Sequence, residues 1–332
     1  MSEITRRSLM AGSAVLVAAG TMPLVPVMAQ ESADAYPSRE VKFVCAFPAG
    51  SGADVYVRWF AERMRPIMKR NIIVENRAGA NGNIATTYTA RAKPDGYTIY
   101  VHAPSALAAN MHLFKKPPVD VAKELQVVAT INRQPFMLTV AANSPHRTVA
   151  ELAEAMRKKG DKATYATTAP TSRVAGAWFK KEMKLQAVEV QYRPGPDTLN
   201  DMTSGAIDFA MHDPVLAVSQ ANSGKLRMLG VTTKERMKAL PNVPALHELG
   251  VTGLNVPGWW AAMVPAATPR PVVNKLNAMW SQLVGSEETR LFMAKFGADT
   301  WVATPDEAQK ALVDDVKAWG EYIKLANIEP QG

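Results

Sequence analysis

The stretch CAFPAGSGAD, residues 45–54, decides the fold. It joins an apolar run typical of a strand, Val41–Phe47, to a helical pattern, Asp54–Arg70, whose apolar residues recur every three to four positions. Gly50 and Gly52 reach backbone angles that other residues avoid, so a tight turn is predicted between the two elements. Such a turn points successive N–H groups at one spot, beside the positive end of the new helix. The sequence therefore predicts a backbone cradle for an anion, either a carboxylate or a phosphate.

Strand-like and helical patterns alternate along the rest of the chain and form two sets. The first set is βαβαβ, which is typical of a parallel sheet with helices on both faces. Residues 126–142 form a long strand-like stretch broken at 132–135, and a second βα set follows it. Two sets joined by long crossing strands predict an α/β fold with two lobes and a cleft between them.

Ligands of open α/β sheets bind at the carboxyl ends of strands, beside helix N-termini. Four junctions of this form are rich in Gly, Pro, Ser, Thr or Asn and directly precede a helix. They are Phe47–Asp54, Ala78–Gly82, Thr167–Ser172 and Tyr192–Asp197. We expect the ligand to bind where these junctions meet.

The first 29 residues resemble an export signal. Arg6 and Arg7 precede a small-residue and apolar stretch, and Val27-Met28-Ala29 fits a cleavage site. The arginine pair favours a twin-arginine signal cleaved after Ala29, and the alternative is a general secretory signal. Either signal predicts an exported, periplasmic protein.

Charge and cysteine usage narrow the function classes. The whole chain carries a formal net charge of +8, and removing the export signal lowers it by one because Arg6, Arg7 and Glu3 are lost. A basic protein favours anionic ligands, but the cations are scattered, which argues against nucleic acid. Cys45 is the single cysteine and lies in an apolar run, so we expect a buried thiol. The five histidines lack zinc-site spacing, and no metal is expected.

A dinucleotide-binding enzyme is the main alternative. Gly50-x-Gly52 after a strand is similar to the start of the G-x-G-x-x-G fingerprint, and Glu75 closes the next strand where a ribose-binding acid would lie. However, Val55 stands at the third glycine position, and no Gly-Lys-Ser/Thr follows as in a phosphate-binding loop. An exported oxidoreductase is therefore the weaker interpretation.

Several motifs resemble a known family across nearly the whole exported chain. They are YPSREVKFVCAFPAGSGAD (36–54), IIVENRAGANGNIA (72–85), KPDGYTIYV (93–101), VQYRPGPDTLNDM (190–202), SGKLRMLGVTTKER (223–236) and LPNVPALHELGV (240–251). Their order and content resemble the Bug-type extracytoplasmic solute receptors of tripartite tricarboxylate transporters.

The resemblance implies a two-lobed fold like that of periplasmic binding proteins, also called a Venus flytrap, with mostly parallel sheets. Lobe 1 would comprise residues 36–140 and 256–332, and lobe 2 residues 141–255. The lobes would close over a small organic carboxylate, and the loaded receptor would dock as a monomer on membrane permease subunits. The resemblance implies no catalysis and no cofactor. A ligand-sensing module for a membrane signalling partner would look the same in sequence.

The resemblance also implies ligand-binding positions in the first-strand loop: Phe47, Pro48, Ala49, Gly50, Ser51 and Asp54. Ser51 stands where the family usually has a second glycine. Its hydroxyl either reaches the ligand or caps the helix, and a cap is the more common role.

In the second lobe the implied ligand positions are Thr168, Ala169, Ser172, Arg193 and Asp213. The loop at 167–172 is shorter than is typical of the family, and Arg173 stands where many members have histidine. Arg173 either pairs with a second ligand carboxylate or lies on the surface. For Asp213 the alternative is the N-cap of a helix at Pro214–Asn222, which a proline in the first turn favours.

Four further residues are secondary candidates. Trp259 and Trp260 are adjacent in a strand-like run and should point to opposite faces, so one belongs to the core and the other can stack on an aromatic ligand. His102 and Ser105 follow the third strand at another strand carboxyl end.

Overall fold

The computed structural model describes residues 35–192, 197–253 and 255–332. The predicted export signal, residues 1–29, and the predicted ligand residue Arg193 lie outside these ranges. In the described part of the chain, no helix combines the length and apolar character needed to cross a bilayer.

Six strands form the first sheet. They are β1 (Val41–Cys45), β2 (Ile72–Asn76), β3 (Thr98–His102), β4 (Leu125–Gln134), β10 (Gly258–Pro265) and β11 (Asp299–Thr300). Their order across the sheet is β11-β4-β10-β3-β1-β2. The pairs β1–β2 and β1–β3 are parallel, whereas β10 lies antiparallel between β3 and β4.

Five strands form the second sheet. They are β5 (Met137–Ala141), β6 (Thr164–Thr167), β7 (Val188–Gln191), β8 (Phe209–His212) and β9 (Leu226–Val231), in the order β7-β6-β8-β5-β9. Here β6 pairs in parallel with β7 and β8, and β5 lies antiparallel between β8 and β9.

The helices flank both sheets. They are α1 (Gly52–Met68), α2 (Asn83–Ala90), α3 (Pro104–Leu113), α4 (Val121–Glu124), α5 (Val149–Lys159), α6 (Pro170–Glu182), α7 (Asp197–Ser204), α8 (Pro214–Asn222), α9 (Arg270–Val284), α10 (Glu287–Ala294) and α11 (Pro305–Leu325). Most begin right after a strand, as the βα patterns predict.

The predicted α/β fold with two lobes is confirmed, but its sheets are mixed rather than mostly parallel. The antiparallel strands are β5 and β10, which begin after the chain crosses or returns between the lobes, and the short edge strand β11. The chain crosses between β4 and β5 and returns between β9 and β10. Since β5 begins at Met137, the first crossing precedes the predicted boundary at residue 140 by a few residues.

Each sheet has its own apolar core, and α11 contributes to both lobes. In the first lobe Trp280 stacks on Phe43 with ring centroids 5.5 Å apart. The first half of α11 places Leu312 against the first sheet, and its second half places Trp319 in the core of the second. This helix therefore bridges the two lobes along its length.

Candidate functional site

The candidate site lies where strand carboxyl ends meet helix N-termini. In the first lobe β1 leads into α1, and in the second lobe β6 leads into α6 and β8 into α8. Helix N-termini carry free N–H groups and a partial positive charge, so both lobes offer groups that favour an anion.

The first-strand loop turns as its glycine predicts. Gly50 has a φ of 80°, in the left-handed region that favours glycine. The Ser51 hydroxyl accepts from the Asp54 N–H at 3.2 Å, so Ser51 is the N-cap of α1. The Ser51 N–H in turn donates to the Pro48 carbonyl at 3.2 Å.

A buried carboxylate holds this loop in place. Asp54 is 2% exposed and accepts hydrogen bonds from the Gly50 N–H at 2.8 Å, from Arg58 Nε at 2.9 Å and from Asn76 Nδ2 at 2.7 Å. Burial alone would raise the pKa of Asp54, but these hydrogen bonds outweigh it and leave the pKa below its ordinary value. Asp54 is therefore ionised and ties the loop to α1 and to the end of β2.

Fewer N–H groups of this loop are free to bind an anion than the sequence predicts. The N–H groups of Gly50 and Ser51 are used inside the loop. Those of Gly52 and Ala53, the first two of α1, have no acceptor among the described residues. These two adjacent donors at the positive end of a 17-residue helix are the part of the loop that can bind an anion.

In the second lobe the side chain of Ser172 holds the loop before α6 in place. Ser172 Oγ accepts from the N–H groups of Thr168 and Ala169, both at 2.9 Å, and donates to the Ala169 carbonyl at 2.7 Å. Arg173 donates to Glu189 at 2.9 Å, so its guanidinium is already paired. The loop at 168–172 is thus ordered by its own side chains.

A cavity of about 160 Å³ separates this loop from the first lobe. Its walls come from Thr167–Pro170, Arg173 and Tyr192 on one side and from Asn81, Leu113 and Gln331 on the other. Asn81 of the second junction therefore faces the third junction across this cavity.

At the end of β8, Asp213 and His212 form hydrogen bonds with neighbouring residues. Asp213 Oδ1 accepts from the Leu216 N–H at 3.1 Å, which makes Asp213 the N-cap of α8. Burial raises its pKa although backbone N–H groups act in the opposite direction. The neighbouring His212 has partners on both ring nitrogens, Thr139 Oγ1 at 2.8 Å and Thr198 Oγ1 at 3.3 Å, and burial lowers its pKa to about 4.

His102, a secondary candidate in the sequence, differs from His212. It is 2% exposed, and neither ring nitrogen has a hydrogen-bond partner among the described residues. Its ring lies against Tyr100, Phe47 and Trp260, with centroids 5.0, 5.3 and 5.8 Å away. Burial lowers the pKa of His102 to about 3, so the imidazole is neutral.

The two adjacent tryptophans point to opposite faces, as expected, and both are buried. Trp260 contacts Phe47 and Tyr56 on the face that carries α1, with centroids 6.2 and 4.7 Å away. Trp259 lies on the other face against Trp301. Cys45 is buried as predicted, and burial raises its pKa.

A larger cavity, of about 810 Å³, lies away from the loops. Its walls include Arg133, Trp259, Trp301, Asp314 and Asp315, and Trp259 Nε1 donates to Asp315 at 2.6 Å. Its lining residues include five cations and four carboxylates, so its charge is nearly balanced. We therefore place the candidate site at the loops that follow β1 and β6, where helices begin.

A family model that matches most of the chain identifies the family. Residues 56–328 match the model of the tripartite tricarboxylate transporter family receptor, TctC. The chain belongs to this family. The Bug-type resemblance noted in the sequence is thereby confirmed.

Solved structures show the same fold. A protein of R. palustris, Rpa4515 with adipate, is 27% identical with a TM-score of 0.80, covering 89% of this chain and 100% of that one. The periplasmic binding protein BugD is 29% identical with a TM-score of 0.76, again covering 89% and 100%. MatC of Rhodopseudomonas palustris, with bound malate, is 26% identical with a TM-score of 0.74, covering 87% and 100%.

The predicted ligand residues in the described ranges mostly shape their loops. Asp54, Ser51, Ser172 and Asp213 hold backbone N–H groups in place. Their contact with a ligand, like that of Phe47, Pro48, Ala49, Gly50, Thr168 and Ala169, stays a prediction. No ligand role was predicted for Asn81, although the Gly-Ala-Asn-Gly run at 79–82 marks its junction.

We predict that Asp54→Ala lowers the free energy of unfolding by about 2 to 4 kcal/mol. The substitution removes the carboxylate that accepts hydrogen bonds from Gly50, Arg58 and Asn76. Urea denaturation measures this. Glu62→Ala is the matched control on the same helix, since its pair with Arg65 is exposed and should contribute less than about 1 kcal/mol. Equal losses in both variants would contradict the role given to Asp54.

The buried histidines make stability depend on pH. His102 and His212 have lowered pKa values in the fold, whereas both titrate near pH 6.5 when unfolded. The unfolded chain therefore binds more protons below pH 6.5, and stability falls as the pH is lowered. His102→Leu removes one of these groups. Between about pH 6 and 4.5 we therefore expect its free energy of unfolding to fall by about 1 kcal/mol per pH unit less than that of wild type. Urea denaturation at several pH values tests this, and parallel profiles would contradict it.

Proposed function

We propose that this protein is the periplasmic solute-binding receptor of a tripartite tricarboxylate-type transporter. It binds a small organic carboxylate between its lobes and delivers it to the permease subunits in the membrane. The export signal at residues 1–29, cleaved near Ala29 and of the twin-arginine type, places the receptor in the periplasm in this proposal.

One observation supports anion binding above the others. Gly52 and Ala53 present adjacent N–H groups, without acceptors in the described part of the chain, at the start of a long helix. Each hydrogen bond from such a donor to a carboxylate contributes roughly 1.5 to 3 kcal/mol. The cation of Arg58, beside this loop, already forms an ion pair with Asp54. Backbone N–H groups and helix ends therefore supply the attraction for the ligand.

The carboxylate class is supported by the solved relatives. Rpa4515 is described with adipate and MatC with malate, and both ligands are small dicarboxylates. The match to a receptor family gives the exported oxidoreductase considered from the sequence less support.

A thermal-shift panel tests the function. The mature protein is refolded to remove bound ligand and heated with citrate, succinate, adipate, malate, glutamate, nicotinate and benzoate. A ligand at 100 times its dissociation constant should add ~2.7 kcal/mol of stability, which raises the melting temperature by several degrees. No shift with any carboxylate, together with nucleotide absorbance in protein that was never unfolded, would overturn the proposal in favour of an enzyme.

Gly50→Val is expected to weaken binding of the panel's best carboxylate by at least about tenfold. A β-branched residue is strained at a φ of 80°, so the turn before Gly52 shifts. A Cβ at Gly50 meets no atom within 4 Å, so the effect is one of backbone conformation rather than of a clash. Isothermal titration calorimetry measures the affinity.

Gly205→Val is the matched control for this variant. Gly205 has a φ of 81°, equally open surroundings, and lies before β8 at the end of the second sheet away from the loops. Gly205→Val should lose about as much free energy of unfolding as Gly50→Val, and it should bind the carboxylate as tightly as wild type does. If Gly50→Val binds as tightly as Gly205→Val, the first-strand loop does not hold the ligand.

A further inference from the structure

The imidazole of His102 is an unusual group for the interior of a protein. Both of its nitrogens are buried, and neither has a hydrogen-bond partner among the described residues. Leaving a buried polar group unpaired costs free energy, so native structures satisfy nearly all such groups. A histidine kept in this state needs a reason other than packing.

The same chain satisfies its other interior histidines. His212 ends β8 as His102 ends β3, and both of its nitrogens meet threonine hydroxyls. His112 in α3 contacts the Val316 carbonyl at 2.6 Å through Nε2. Among the interior histidines of the described ranges, His102 alone has both ring nitrogens unpaired.

His102 lies at the cleft end of the first sheet, between two loops of the candidate site. On one side is Phe47, a half-buried ring at the start of the first-strand loop. On the other is Gly82, where an added Cβ would lie 3.2 Å from His102 Nε2. Only glycine leaves the backbone of this loop so close to the imidazole.

The loop beside His102 is also strained. Residues 79–82 all have positive φ, and two of them, Ala80 (47°) and Asn81 (53°), are not glycine. Such conformations persist where surrounding contacts impose them, and they concentrate at ligand sites. Here Asn110 Nδ2 donates to the Asn81 carbonyl at 2.8 Å and holds the loop.

We propose that His102 determines ligand specificity: its imidazole binds an uncharged hydrogen-bonding substituent of the carboxylate, so the receptor prefers an acid with a hydroxyl group to the same acid without one. The inference rests on the proposed function and extends it. A neutral imidazole offers one N–H donor and one acceptor, which a hydroxyl group matches in both directions. The Phe47 ring lies against the imidazole, and the proposal requires that it moves aside when such a ligand enters.

The chemistry of the surroundings supports an uncharged partner. The rings packed on His102 are those of Phe47, Tyr100 and Trp260, and no carboxylate in the described ranges pairs with it. The ligand's own carboxylate is assigned to the N–H groups of Gly52 and Ala53. His102 then contacts the part of the ligand that differs between related acids.

The test compares wild type, His102→Leu and His102→Gln by calorimetry with three matched pairs of acids. The pairs are malate and succinate, 2-hydroxyglutarate and glutarate, and 4-hydroxybenzoate and benzoate. In at least one pair, wild type should bind the hydroxylated acid at least about tenfold more tightly. His102→Leu should reduce that ratio to less than about threefold, and His102→Gln, which keeps a donor and an acceptor, should restore part of it.

Melting of the ligand-free proteins gives a second readout. His102→Leu should melt at or above the wild-type temperature, because it removes two unpaired buried nitrogens. His112→Leu, which loses a satisfied hydrogen bond, should melt lower and keep the wild-type ligand ratio.

The outcomes separate this inference from the proposed function. If wild type binds none of the six acids and none of the panel, the proposed function fails. If wild type binds an acid but the ratios are the same in wild type and His102→Leu, the receptor stands and the role of His102 is overturned. A lower melting temperature in His102→Leu with unchanged ratios would show that His102 is purely structural.

Discussion

The carboxylate of Asp54 is the contact on which the first-strand loop depends. It receives the Gly50 N–H from the turn, the Arg58 guanidinium from the next turn of α1 and the Asn76 amide from the end of β2. Because one buried ion joins three segments, the turn cannot shift without breaking a charge-assisted hydrogen bond. The position of the free N–H groups of Gly52 and Ala53 follows from this anchor, and the anion cradle exists only while Asp54 stays ionised and paired.

Local signals were enough to predict most of the fold. The helix named at Pro214–Asn222 is observed with those bounds, because Asp213 caps its start. The patterns at Val41–Phe47 and Asp54–Arg70 correspond to β1 and α1, which lie within about two residues of them. By contrast, no helix was predicted where α3 lies. Its buried positions include the consecutive run Leu107–Asn110, so the helix lacks the one-sided stripe on which a periodicity argument depends.

The site was predictable only in part, for a physical reason. The glycine and proline content of the junctions shows where the loops are. It does not show which N–H groups the loops use for themselves. That depends on contacts between distant residues, such as Asn76 with Asp54 and Glu189 with Arg173. For the same reason the sequence did not separate a ligand role for Ser172 and Asp213, which stays a prediction, from the observed one of holding backbone N–H groups in place. Short polar residues at a helix start serve both purposes, and sequence alone does not separate them.

The polar groups named at the candidate site differ in how completely they are paired. In the second lobe Ser172, Asp213 and His212 have hydrogen-bond partners within the lobe. In the first lobe the N–H groups at the start of α1 and both nitrogens of His102 lack partners in the described part of the chain. Unpaired donors and acceptors cost stability in the free protein and are satisfied when a complementary ligand arrives. Under the proposed function the N–H groups at the start of α1 and the imidazole of His102 therefore contribute to recognition.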